Sequence, residues 1–293
     1  MSRSSTSAIA RWRKIAAKHE VAQNSVMVEA PSHQAEAGTA SRLIAFEQPL
    51  NERMRTFLRI ELLHGQALLH SRHEAAYGSR AAIAGLLEIL AITSRGDIRA
   101  EALKELDRQT LRLSHYQRSP GVDAERLARL MLEVDEIRHA LSDAGKHFLG
   151  PVRENEFLSA IRHRSAIPGG TCMFDLPDYG YWLELPGAER SEQLRSWLDQ
   201  LKPLCDAIDQ VLWLTREAST PARQVAPGGL YNHSLGKEEH YDLVRVLVPR
   251  TLGLYPEISA GQHRFTVRFA EWRGAENRAR QAVDDVPFLL ALC

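Results

Sequence analysis

The 293 residues suffice for one large domain or two ordinary ones, and 37 basic and 37 acidic side chains cancel to a net charge of zero. That balance excludes a chain that coats nucleic acid by bulk electrostatics and leaves only local basic patches open. With 44% hydrophobic and 25% charged residues, the composition is that of a globular chain with a sizeable core.

Residues 1–42 are rich in Ser, Ala, Thr and Gln and carry too little apolar surface to offset their ordering entropy. They read as a flexible extension with one basic amphipathic stretch, Ile9–Lys18, whose Arg11, Arg13, Lys14 and Lys18 read as a solvated face. From Pro49 to Arg164 the pattern is helix after helix. Leu50, Met54, Phe57, Leu58 and Leu62 recur at helical spacing, and Ser79–Thr93 is a helix of small residues. Asp97 reads as the N-cap of a third helix and Asp123 as that of a fourth, with Ser119-Pro120-Gly121 between them. A fifth runs from Val152 to Arg164.

At Ile167-Pro168-Gly169-Gly170 the apolar period changes from 3.6 to 2, which predicts short strands over Thr171–Leu176 and Gly180–Leu185. Ser191–Ser219 returns to helix, with a kink or break at Pro203. Strands then follow over Gln224–Tyr231, Tyr241–Val248, Gln262–Trp272 and Val286–Cys293. The expected fold class is α+β. A flexible extension (1–42) precedes a multi-helix domain (43–166) and a smaller antiparallel β-strand domain (167–293), with helix 191–219 packing on the helical domain.

Catalytic and metal signatures are near misses. His73-Glu74-Ala75-Ala76-Tyr77 starts like a zinc-binding HExxH but ends in Tyr where the second ligand belongs. No GxSxG, P-loop or GxGxxG occurs, and the Gly-Gly pairs at 169–170 and 228–229 read as turns. Cys172, Cys205 and Cys293 are widely spaced and odd in number, which argues against a disulfide framework or thiolate zinc site and for a cytoplasmic chain. Residues 1–41 lack the apolar stretch of a secretory signal. No apolar run approaches the ~18–20 residues that span a bilayer. The richest are Ala81–Leu87 and Phe288–Cys293. The expectation is no enzyme, no catalytic residue, no metal and no cofactor.

Arginines are the informative polar residues. Arg55 and Arg59 lie four apart on one helical face, and Arg162 and Arg164 end the fifth helix, where cations suit the dipole. In Gln262–Trp272, His263, Phe265, Val267 and Phe269 share one face, while Arg264, Thr266, Arg268 and Trp272 share the other. Guanidinium forks beside an aromatic suit a carboxylate-bearing peptide, although ordinary solvation of a half-buried sheet gives the same alternation.

Phe46–Glu61 resembles the opening of the ZapD family of bacterial cell-division proteins. Arg95–Arg99, Leu103–Gln109, Pro120–Asp123, Ile167–Cys172, Phe174–Pro177, Leu254–Ser259 and Arg264–Phe269 follow the same pattern in the same order. The resemblance spans about residues 45–293 and leaves out the extension. It implies a non-enzymatic homodimer with a helical and a β part. Such a dimer binds the C-terminal tail of FtsZ and bundles its filaments at the midcell division ring, without nucleic acid or stable membrane insertion. By the same resemblance the pocket residues are Arg95, Arg264 and Arg268, while Arg55 and Arg59 match basic positions tied to bundling. Arg153, Arg162 and Arg164 extend the basic surface. The chain departs from the family at Glu156, where the family carries an arginine one turn beyond Arg153. The alternative is a basic-surface adaptor that binds nucleic acid or anionic membrane.

Overall fold

The computed structural model describes residues 42–117, 121–236, 239–261 and 263–293. The extension up to residue 41, including Ile9–Lys18, lies outside the described residues, as do Ser119 and Pro120 of the expected breaker and Gln262 of the expected strand. Among the described residues, eight α-helices and two antiparallel sheets make the fold α+β. The chain divides into two compact units. Among the described residues, one holds 42–55, 117, 121–127 and those from 213 onward, and the other holds 56–116 and 128–212.

The elements run β1 (Leu43–Pro49), α1 (Glu52–Ser71), α2 (Ala76–Thr93), α3 (Ile98–Tyr116), α4 (Ala124–Asp143), α5 (Gly150–Arg153), α6 (Glu156–Ser165), α7 (Pro177–Glu184) and α8 (Gly187–Glu217). They continue as β2 (Ala222–Ala226), β3 (Leu230–Ser234), β4 (Leu243–Pro249), β5 (Leu254–Ala260), β6 (Arg264–Glu271), β7 (Arg280–Gln281) and β8 (Val286–Leu292).

In the helical unit, α2 is the central element, burying Ala82, Ile83, Leu86, Ile89 and Leu90. By length and composition it is apolar enough to cross a bilayer, contrary to the expectation that no stretch qualifies. Its ten buried residues identify it as a core helix. Gly85 makes that packing possible, because a Cβ there would sit 3.1 Å from the Leu63 carbonyl and 3.3 Å from Ala67 Cβ on α1. Both predicted caps form: Ala100 N donates to Asp97 Oδ1 at 3.0 Å, and Arg126 N to Asp123 Oδ1 at 3.1 Å.

The strands expected over Thr171–Leu176 and Gly180–Leu185 are not strands. The first stretch is a series of turns, and the second lies largely in α7, which opens with Pro at its first position. Tyr179, Trp182 and Leu183 are buried at helical i, i+3, i+4 spacing, a period too short-lived to be told from strand alternation in eight residues. Tyr179, Trp182, Trp197 and Phe157 form one aromatic cluster with centroids 5.8–6.1 Å apart. Burial pushes the Tyr179 hydroxyl up to about 12, against the opposing pull of the Arg80 guanidinium over its ring. The α8 helix runs unbroken through Pro203, because Leu201, Leu204 and Ile208 beside it are buried in the core. The predicted fifth helix is two pieces, α5 and α6, separated where Asn155 caps α6 by accepting from Leu158 N at 2.9 Å.

Arg190 is 4% exposed and has no ion-pair partner among the described residues. It donates to Ser79 Oγ and the Leu183 carbonyl at 3.0 Å each, and to the carbonyls of Leu185 and Glu74. One guanidinium therefore ties α2, α7 and the loop before α2 to the start of α8.

The β unit consists of two sheets, β1-β4-β8-β2 and β3-β6-β5, with β7 on the end of β6. Their inner residues form a single core around Val244, Val246, Phe265, Val267, Phe269, Phe288 and Leu290. The expected strand Gln224–Tyr231 is split into β2 and β3 by a tight turn at Pro227–Gly229. Gly229 has φ 73°, and a Cβ there would lie 2.5 Å from the Ala282 carbonyl, so only glycine fits. Three strands the sequence pattern did not reveal, β1, β5 and the two-residue β7, complete the sheets. In the first, Glu47 pairs in register with Arg245 and lies between two arginines. Its carboxylate accepts from Arg216 Nε and Nη2 at 2.9 and 2.8 Å and from Arg245 Nε at 2.9 Å.

Candidate functional site

Strand β6 is built as its alternation predicts. Phe265, Val267 and Phe269 are buried, while Arg264 and Arg268 are exposed on the opposite face with the half-buried Thr266 between them. Four strand residues put the two arginine Cα atoms ~13 Å apart. The neighbouring strands supply the rest of that face. Leu230 and Glu257 flank Arg268, Asn232 and Ser259 flank Thr266, and Ser234 lies beside Arg264. Thr266 Oγ1 donates to Asn232 Oδ1 at 2.8 Å, so the middle of the face is neutral and internally bonded.

The two guanidiniums are in different states. Arg268 donates from Nε to Glu257 Oε2 at 2.9 Å, with a second bond from Nη2, in an ion pair about half exposed on both sides. Arg264 has no ion-pair partner among the described residues. An arriving carboxylate meets one unengaged fork and one that already holds an acid. Trp272, placed on the arginine face by sequence, lies just beyond the end of β6, and its backbone N–H donates to the Gly253 carbonyl at 2.9 Å.

Arg95 belongs to the helical unit, in the turn between α2 and α3. There it lines a cleft of about 480 Å³ together with Arg99, Lys146 and Arg153. Two of these cations are tethered to helix C-terminal carbonyls, where positive charge is favoured. Arg153 Nη2 donates to the Thr93 carbonyl at 2.8 Å, and Arg99 donates to the carbonyls of Leu141 and Ser142 at 3.0 and 2.7 Å. Arg95 and Lys146 are exposed and have no side-chain partner among the described residues. Asp97, the carboxylate of this cleft, is occupied in capping α3. The structure thus brings Arg95 and Arg153 together. It adds Arg99 and Lys146, which residue type alone did not single out, although Arg99 ends the Arg95–Arg99 string.

The remaining arginines are dispersed. Arg55 pairs with Glu52 one turn earlier at 3.1 Å, while Arg59 is exposed and unpaired among the described residues. Arg162 and Arg164 occupy the last turn of α6, and Arg164 reaches Asp175 at 3.7 Å. Glu156 opens α6 in its first turn, the end of a helix that favours a carboxylate.

Among the described residues no group of three His, Cys, Asp or Glu side chains is placed to hold a metal ion. The features that stand out are arginines on one outer sheet face and a cationic cleft among helices, the equipment of an α+β protein that recognises anionic groups.

A family model described as ZapD, cell division protein, matches residues 58–268. A cell division protein ZapD from Methylococcus capsulatus is 38% identical over 250 residues, covering 85% of this chain and 98% of that one. Relatives of the same name from Janthinobacterium sp. and Nitrosomonas eutropha are 36% and 33% identical, each covering 86% of this chain and 99% of the relative. The chain belongs to the ZapD family of cell-division proteins. That name denotes a role in cell division and not an enzyme class.

Proposed function

We propose that this chain is a non-enzymatic division factor that binds the C-terminal tail of FtsZ and, as a homodimer, cross-links FtsZ filaments at the midcell ring in the cytoplasm. The observation that carries the reading is the outer face of β6, where Arg264 and Arg268 stand exposed four residues apart in a chain of this family. An extended peptide with carboxylates at matching spacing engages both forks. It meets the unengaged Arg264 directly and takes Arg268 by exchange with Glu257. Arg95, in the cationic cleft of the helical unit, is the third arginine this reading assigns to the tail. Arg55, Arg59, Arg153, Arg162 and Arg164 are the separate basic positions to which this reading ascribes bundling.

Two tail sites on one symmetric particle join two filaments, and polymer avidity multiplies weak contacts. A single-site affinity near micromolar, about 8 kcal/mol, is then sufficient. Pelleting of FtsZ filaments at low speed tests this. Full-length FtsZ should pellet with the protein, and FtsZ lacking its tail should not. Equal pelleting of the two removes tail recognition. Arg264→Glu and Arg268→Glu should each abolish bundling with unchanged circular dichroism.

A further inference from the structure

The cations that line the cleft around Arg95 come from separate stretches of the helical unit. Arg95 lies in the turn after α2, Arg99 in the first turn of α3, Lys146 in the turn after α4, and Arg153 at the end of α5. Gly145, with φ 76°, follows α4 in the left-handed conformation and turns the chain so that Lys146 lines the cleft. The remaining lining includes apolar groups, with Ile98, Leu149 and Leu204 buried and Phe148 half-buried.

None of these four cations has a carboxylate partner among the described residues. The main-chain carbonyls that hold Arg99 and Arg153 fix their positions but do not neutralise their charges, and further guanidinium N–H groups remain for a ligand. Because those two side chains are already held, a bound anion does not have to order them, which lowers the cost of binding. The acid in the lining, Asp97, is turned to the amides of α3. Four cations against that one carboxylate leave an excess of three positive charges, at the N-terminal end of a helix whose dipole adds to them.

A single carboxylate cancels one of these charges. A phosphate monoester carries about −1.5 to −2 near pH 7 and a diphosphate more, with oxygens placed for guanidinium forks and for a lysine acting as a point charge. The volume of about 480 Å³ is roomier than one phosphoryl group needs and lies within the ~300–1,000 Å³ of small-molecule sites.

We propose that this cleft binds a diphosphate group, free or carried by a nucleoside, gripped by Arg95, Arg99, Lys146 and Arg153. The inference goes beyond tail recognition and needs neither Arg264 nor Arg268.

Isothermal titration calorimetry of the full-length chain with inorganic pyrophosphate and with ADP, without divalent cations, tests it. The parent should take up pyrophosphate saturably, one per chain, and more weakly as sodium chloride is raised. Arg95→Gln/Lys146→Gln should weaken uptake at least ~tenfold and Lys146→Gln alone about 3- to 5-fold. Both side chains are exposed, so the fold is kept, which circular dichroism checks. Uptake should be unchanged in Arg264→Glu/Arg268→Glu, the change expected to remove the tail, so failure of one binding reads separately from failure of the other. Uptake of pyrophosphate alone assigns the free anion, and equal or tighter uptake of ADP assigns the nucleotide, with Phe148 against its ring; either upholds the proposal. No saturable uptake by the parent overturns it, as does uptake indifferent to Arg95→Gln/Lys146→Gln or sulfate bound as tightly as pyrophosphate. A glutamate-rich peptide that binds and is lost in Lys146→Gln, with no uptake of pyrophosphate or ADP, overturns it in favour of a peptide site.

Discussion

Glu47 offers the sharpest quantitative prediction. Its carboxylate is 17% exposed and lies between Arg216, 22% exposed, and Arg245, 18% exposed. Replacing it by Gln keeps the shape but removes a negative charge that faces two largely buried guanidiniums. Breaking a fully buried pair by removing one partner costs about 3–5 kcal/mol. Residual exposure of these side chains lowers that to about 2–4 kcal/mol. A loss of ~3 kcal/mol shifts the thermal midpoint down by about 6–12 °C in a domain of 150–250 residues. Urea unfolding followed by tryptophan fluorescence and far-ultraviolet circular dichroism measures the free energy directly. The triple change Glu47→Leu/Arg216→Met/Arg245→Leu should recover most of the loss, since apolar groups of similar volume commonly replace buried ion clusters without penalty. A Glu47→Gln cost below about 1 kcal/mol refutes the assignment of this cluster as a main tie between β1, β4 and the end of α8.

The other predictions concern single groups. Arg190→Met should destabilise the helical unit by about 2–3 kcal/mol, because two buried acceptors, Ser79 Oγ and the Leu183 carbonyl, and two part-buried ones, the Leu185 and Glu74 carbonyls, lose their donor at once. Denaturant midpoints check this, and a neutral result would mean water satisfies those acceptors. Burial holds the His64 imidazole below its ordinary value, with Lys202 acting in the same direction and Asp206 opposing. The unfolded chain therefore binds the proton more readily. Stability on this account is full above about pH 6.5 and falls as the pH drops below it, so His64→Gln should flatten the wild-type slope between pH 7 and 5. Glu257→Gln frees Arg268 from an exposed ion pair worth about 0.2–1 kcal/mol. If the tail uses that guanidinium, peptide affinity should rise about 1.5- to 5-fold in fluorescence anisotropy, and weaker binding would place Glu257 in the site itself.

The α+β class and the two faces of β6 could be read from the sequence because each rests on a local period sustained over enough residues. The 264–269 alternation and the α2 run are such cases. Strand β1 carries no such signal. It is an edge strand, exposed at its start and only partly buried at its end, and its inward acid is balanced by arginines about 170 and 200 residues away. Strand β5 is masked by Pro256 and Glu257, and its pattern is broken accordingly. The helix α7 reads as a strand in sequence because eight aromatic-rich residues span barely two turns. Of the arginines, type and spacing marked those on β6, but the cleft joining Arg95, Arg99, Lys146 and Arg153 depends on packing between α2, α3 and the α4–α5 region. The buried role of Arg190 left no mark in sequence, since its partners are backbone carbonyls and one serine.

The central claim is that guanidiniums on the outer face of β6 capture the tail of FtsZ. Native mass spectrometry of the full-length chain titrated with the tail peptide reads occupancy and assembly together. A two-chain particle taking up two peptides, with uptake lost in Arg264→Glu/Arg268→Glu while the particle stays intact, is the predicted result. Peptide uptake undiminished by that double change, or none by the parent protein, contradicts the account.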